Sequence, residues 1–160
     1  KFCSNDCRYY SFKLKRLDKT ERAYLAGFTD GEGNFGITKI NSESHKKGLY
    51  PHYAALYQIA SIDLFILEYF KKLFGGRIVL IKKVSSKHNQ ANNWRITNQK
   101  TFMLIDEIIG YLKIKKPQAK LILKLRDSIH KNRRNPLTKE LSDYRESLKQ
   151  QISNLNKRLP

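Results

Sequence analysis

Carboxylates are scarce in this chain of 160 residues: 14 Asp and Glu stand against 32 Lys and Arg, a formal net charge of +18. That excess is beyond ordinary solubility tuning and points to a polyanionic partner, nucleic acid before a membrane surface. Cysteine is scarcer still. Only Cys3 and Cys7 occur, so no four-thiolate zinc site can be completed within one chain. No run of ~18 apolar residues exists, so no helix is written to span a bilayer, and the N-terminus lacks the apolar stretch of a secretory signal. The chain opens on Lys1 instead of Met, which reads as a processed, excised or trimmed product.

What is present fits one domain with a real core, since 40% of residues are apolar and Phe, Tyr, Ile and Leu are spread from residue 24 to 129. Residues 1–19 are polar and basic and read as an arm. Within them KFCSNDCRYYS spaces Cys3 and Cys7 as Cys-x3-Cys, like the second half of a small zinc ribbon. Four readings stay open there: a truncated zinc knuckle, two free thiols, a zinc shared across a dimer, or a disulfide.

Caps and periodicity then give an order of elements. Asp18 or Thr20 caps a first helix over about 20–31. Residues 33–40 alternate, with Phe35 and Ile37 on one face and Asn34, Gly36 and Thr38 on the other, until Lys39-Ile40 breaks the phase and suggests a bulge or the strand's end. A second strand covers 50–61. Asp63 opens a second helix that Gly75-Gly76 stops. RIVLIKKV and NWRIT are strands three and four. A third helix, capped by Thr97 or Asn98, runs to about Leu112, and Pro117 suits the first turn of another. A basic linker leads to a last helix, capped by Thr138, with Leu141, Tyr144, Leu148, Ile152, Leu155 and Leu159 on one stripe. The division is arm 1–19, main domain 20–130, and linker plus amphipathic helix 131–160.

Helices on one side of an antiparallel sheet leave its other face bare. The phase puts Asn34, Thr38, His52 and Gln58 on that face, with Arg77, Lys83, Arg95 and Thr97 as companions, while Trp94 and Ile96 point to the core. Arg, Lys and Gln at such positions discriminate well among major-groove base edges. Lys46, Lys47, Lys87 and Arg134 read as phosphate contacts. His45, His88 and His130 read as solvated residues.

The scarce acids matter most at YLAGFTDGEGNFGI, residues 24–37, where Asp30 and Glu32 sit two apart among three glycines. A carboxylate at a helix C-terminus faces the negative end of the macrodipole. Two of them there make sense if the site collects a cation. A metal-binding acid in a basic protein suggests chemistry on a phosphodiester.

LAGFTDGEG, residues 25–33, resembles the signature of LAGLIDADG homing endonucleases, and the αββαββα order over roughly 20–130 resembles their fold. The resemblance implies an α+β fold: a four-stranded antiparallel DNA-binding sheet backed by helices, with extra C-terminal helices. A single copy of the signature implies a homodimer. Ala26, Gly27 and Gly31 would form the close helix interface, as small residues allow. The pairing would bring two Glu32 carboxylates together, where divalent cations relieve their repulsion. Glu32 matches the family's metal-binding acid, and the Gly31 carbonyl would add a ligand. Asp30 matches a position of less direct role, metal or structural. In LKIKKPQAKLIL, residues 112–123, Lys115 matches a lysine that approaches the active site, with Lys113 and Lys116 as alternatives. Gln58 falls where members carry a polar residue near the site, and Ser61 departs from the Gln common slightly beyond.

The resemblance therefore implies a magnesium-dependent double-stranded DNA endonuclease acting on a long near-palindromic target. Manganese or calcium would substitute for binding, zinc is not expected as the working metal, and no membrane partner is expected. Its setting would be intracellular, in a mitochondrion, chloroplast, prokaryote or phage, serving intron or intein mobility. Two alternatives from other classes stand beside it: an RNA-splicing maturase that binds its host intron RNA, and an inactive DNA-binding regulator on the same fold.

Overall fold

The computed structural model describes residues 17–40, 50–82, 89–132, 135 and 137–157. Its first helix, α1 (Lys19–Glu32), starts at a capping box: Glu21 N–H donates to Asp18 Oδ1 at 2.8 Å, and Asp18 N–H donates to Glu21 Oε2 at 3.1 Å. Two orphan donors are thereby satisfied reciprocally. The helix runs directly into β1 (Gly33–Ile40), which pairs antiparallel with β2 (His52–Ser61). After α2 (Leu64–Phe74) come β3 (Arg77–Leu80) and β4 (Asn92–Thr97), and β4 joins the sheet beside β2. The strand order is β1-β2-β4-β3, so β1 and β3 are the edges. Three helices follow: α3 (Gln99–Ile108), α4 (Lys116–Lys131) and α5 (Lys139–Asn156). No helix among the described residues is long and apolar enough to cross a membrane.

The core is aromatic on the helix side of the sheet. Phe35, Tyr57, Trp94 and Phe70 are fully buried and pack ring to ring in tilted and edge-on contacts, with centroids 4.8, 5.9 and 5.2 Å apart. The Trp94 indole N–H is satisfied by the Gly75 carbonyl at 2.8 Å. The turn supplying that carbonyl requires glycine. Gly75 and Gly76 have φ of 67° and 91°, and a Cβ on Gly76 would lie 2.6 Å from the Arg95 carbonyl.

Three expectations change. Of the two readings at Lys39-Ile40 the strand's end holds and the bulge does not: β1 stops at Ile40, and the register stays regular through Lys39↔Tyr53 and Ile40↔His52. Lys39 faces the helix side at a sheet edge, where Glu146 of α5 pairs with its ammonium at 3.1 Å. The third strand stops at Leu80 and the third helix at Ile108, each short of the sequence reading. Finally, the buried side of α5 is Ser142, Arg145, Leu148 and Ile152, whereas Tyr144 and Leu155 are each 43% exposed. The apolar stripe is thus rotated, because the Arg145 guanidinium reaches inward to Ser128 Oγ (3.1 Å) and the Ser128 carbonyl (3.0 Å).

Candidate nuclease site and nucleic-acid interface

The acidic turn where α1 enters β1 is held from three sides. Asp30 is 8% exposed and points back into the protein, accepting the backbone N–H groups of Lys113 (2.7 Å) and Lys115 (2.8 Å). Burial pushes its carboxyl upward. The N–H groups of Lys115, Lys113 and Ile114 outweigh that and leave it below the usual carboxylate range. The Lys115 ammonium returns to the same helix end and donates to the carbonyls of Thr29 (2.9 Å), Asp30 (2.9 Å) and Gly31 (3.4 Å). A cation on these carbonyls complements the negative end of the macrodipole. From the sheet side, Tyr57 Oη and Thr29 Oγ1 share a buried hydrogen bond of 2.7 Å. Gly33 is the hinge of the turn. Its N–H donates to the Thr29 carbonyl, and a Cβ there would lie 2.6 Å from Tyr57 Oη and 2.8 Å from Thr29 O.

Glu32 stands differently. It is exposed and makes no hydrogen bond or ion pair among the described residues. Asp30 is thus taken up by the fold while Glu32 remains exposed, one residue beyond the Gly31 carbonyl that the Lys115 ammonium approaches at 3.4 Å. Gln58 lies opposite Asn34, two residues beyond Glu32, and accepts the Asn93 amide at 3.3 Å. The Ser61 hydroxyl accepts the Asp63 N–H at 3.0 Å and so helps start α2.

The small-residue set divides. Ala26 is 1% exposed and packs into the chain's own core, so it lies off any surface a partner could reach. Gly27 and Gly31 are exposed, and nothing lies within 4 Å of a Cβ built on either.

On the bare face of the sheet the register brings Asn34, Gln58, Arg95 and Arg77 into one row, and Gly36, Leu56 and Thr97 into the next. Thr38 pairs with Ala54, and His52 with Ile40, on that same face. Lys46, Lys47, Lys83, Lys87, Arg134, Cys3 and Cys7 lie outside the described residues.

Sequence reasoning missed three residues. Asn156, at the end of α5, donates its amide to the Phe35 carbonyl (2.7 Å) and to Asn34 Oδ1 (3.2 Å), fastening the last helix to the edge strand. Glu146 gathers Tyr53 Oη (2.7 Å), Lys39 and Lys149. The Tyr53 hydroxyl first, then the Lys149 ammonium, hold its carboxyl down at about 2. Asn93 stands beside Gln58 on the bare face. Lys39 on the inward phase of β1 was the one available signal, since an inward lysine needs an acid.

A family model described as LAGLIDADG endonuclease matches residues 25–128. No curated protein matches. Similar solved structures include the homing endonuclease I-CvuI in complex with a target DNA, at 17% identity and TM-score 0.68 over 88% of this chain and 85% of that one. The archaeal intron-encoded homing endonuclease I-Vdi141I, complexed with DNA, is similar at 15% identity and TM-score 0.68 over 90% of this chain and 89% of that one. I-SmaMI, bound to uncleaved DNA target with calcium ions, shares 25% identity at TM-score 0.59; the match covers 87% of this chain but 45% of that one.

Proposed function

This chain belongs to the LAGLIDADG endonuclease family, and on that footing we propose that it is a homodimeric, magnesium-dependent homing endonuclease. It would make a double-strand break in a long, near-palindromic DNA target and serve intron or intein mobility. The observation that carries this reading is Glu32: an unpartnered, exposed carboxylate in a chain of net charge +18, on a turn that Asp30, Tyr57 and Lys115 hold in place.

The donor set fits magnesium. That ion takes one or two carboxylates and leaves its other positions to water and substrate phosphate, so it needs no all-protein cage. No cluster of three His, Cys, Asp or Glu exists among the described residues. Glu32 and the Gly31 carbonyl would hold the ion. When bound it would polarise the scissile phosphate and lower the pKa of a water.

The chain's own residues do the rest. The bare sheet face seats the duplex and orients the phosphodiester, while the basic surface neutralises backbone phosphates. Lys115 sets a fixed positive charge beside the reacting group and offsets charge that develops there. Gly33, Thr29 and Tyr57 fix the backbone turn from which the Glu32 side chain projects. Water is the nucleophile, so no enzyme side chain forms a covalent intermediate. The solvent-facing Gly27 and Gly31 stripe, together with the single signature, supports a second copy across α1.

Ser61 supports one further reading. Its hydroxyl is engaged with Asp63 where a longer polar side chain could hold water, which fits a splicing maturase or an inactive regulator on this fold. Selection of cleaved sites from a randomised duplex pool in magnesium separates these. β1 has 8 residues and β2 has 10. At about 3.3 Å per residue, strands of that length span ~26–33 Å, or ~8–10 base pairs. Cleaved, two-fold symmetric sites of about 16–20 base pairs are expected. Specific retention of uncut DNA would favour the regulator, and retention of structured RNA alone the maturase.

A further inference from the structure

One row across all four strands offers almost only hydrogen-bond donors. Asn34 lies opposite Gln58, Gln58 opposite Arg95, and Arg95 opposite Arg77. Directly opposed residues share a face, and the buried Phe35, Tyr57 and Ile96 alongside them take the helix side. The two arginines can only donate. The amides are assigned from their partners. The Phe35 carbonyl can only accept, so Asn156 must turn Nδ2 to it, at 2.7 Å. The Asn34 atom facing that same nitrogen at 3.2 Å is therefore Oδ1, which leaves the Asn34 amide hydrogens for a ligand. Gln58 uses Oε1 to accept Asn93 Nδ2 at 3.3 Å and keeps its own amide hydrogens.

Arginines directly opposite on neighbouring strands repel. Among the described residues neither Arg77 nor Arg95 has a carboxylate partner, and Arg95 Nε is buried without any hydrogen bond. Two facing arginines with no carboxylate between them favour an acceptor-rich ligand, which would meet guanidinium nitrogens other than the enclosed Arg95 Nε. Strands at a spacing of about 4.8 Å set its ends ~14 Å apart, close to the ~12 Å width of the major groove. In that groove guanine shows two acceptors and no donor. Adenine and cytosine each show a donor, and thymine shows one acceptor beside a methyl group.

We infer that the row Asn34–Gln58–Arg95–Arg77 selects guanine at the base-pair step beneath Arg95 and Arg77. This rests on the reading of the sheet as a DNA-binding surface.

The test is a binding selection on a randomised duplex pool, in calcium so that no cleavage is required, with wild type, Arg77→Gln and Arg95→Gln. Wild type should enrich guanine at two neighbouring pairs, with a penalty of roughly 5- to 150-fold for any other base. Each variant should lose the preference at one of those pairs and keep the rest of the recovered site. Arg77 is exposed, so its variant reports even where Arg95→Gln folds poorly. Recovery of a defined site without guanine at that step, or with guanine preference unchanged in both variants, would overturn the inference while leaving the DNA reading intact. Recovery of no defined duplex site would overturn both.

Discussion

Removing the Asp30 carboxylate should loosen the fold and weaken cleavage through one local contact. In Asp30→Ala the N–H groups of Lys113 and Lys115 lose acceptors now at 2.7 and 2.8 Å. Hydrogen bonds to an ionised group are each worth about 1.5–3 kcal/mol, and removing a buried charge recovers part of that. A net loss of about 3 kcal/mol follows, which for a domain of this size lowers Tm by about 6–12 °C. Asp30→Asn keeps one acceptor and turns an amide donor against the other N–H, so it should fall between Asp30→Ala and wild type. The turn carrying Lys115 then drifts from the Gly31 carbonyl, and cleavage slows while DNA affinity holds. Thermal melting by circular dichroism and single-turnover cleavage read the two effects. A double-mutant cycle sharpens the second: in a Lys115→Ala background, Asp30→Ala should slow cleavage little further. An Asp30→Ala protein that melts within about 1 °C of wild type and cuts normally would refute the reasoning.

Gly33→Ala should cost about 1–3 kcal/mol, because its Cβ meets the Thr29 carbonyl at 2.8 Å and backbone cannot yield as a side chain does; a denaturant melt of unchanged midpoint would contradict this. Gly27→Leu should leave the isolated fold intact, since nothing lies within 4 Å of the new Cβ, yet give monomers by light scattering where wild type gives dimers. Glu146 should stabilise through its lowered carboxyl. A group depressed from 4.5 to about 2 contributes its stability above the unfolded value and loses it as pH falls through about 2. Glu146→Gln should therefore be less stable than wild type at pH 7, with the gap closing between about pH 4.5 and 2; a gap independent of pH would locate the effect in packing.

How far the sequence could be read depended on whether the signal was local. Asp18, Asp63 and Thr138 mark helix starts because their side chains meet N–H groups two or three residues on. The alternation of Phe35 and Ile37 marks the buried face of β1 for the same reason. Asn98 does occupy the cap position of α3, but its side chain accepts the Ala55 N–H at 3.1 Å and makes no cap hydrogen bond, and its φ is 48°. The carboxylate of Asp30, the amide of Asn156 and the guanidinium of Arg145 find partners more than fifteen residues away, and no spacing rule reaches that far. Nor does a helical wheel show that an arginine will point inward: Leu148 and Ile152 of the expected stripe on α5 are buried, but Ser142 and Arg145 take the inward places of Leu141 and Tyr144. At the site, the signature segment singled out both acids. Only the tertiary structure separates them, by engaging Asp30 with the turn before α4 and leaving Glu32 unpartnered.

Changing Glu32 to Gln while measuring cleavage and binding on the same DNA tests the central claim most directly. The amide keeps the volume and loses the charge that would hold a divalent cation. Cleavage in magnesium should vanish while DNA affinity stays the same or tightens, since an acid facing phosphate is gone. Near-normal cutting by Glu32→Gln, or loss of DNA binding in parallel with cutting in a variant that melts like wild type, would contradict the account.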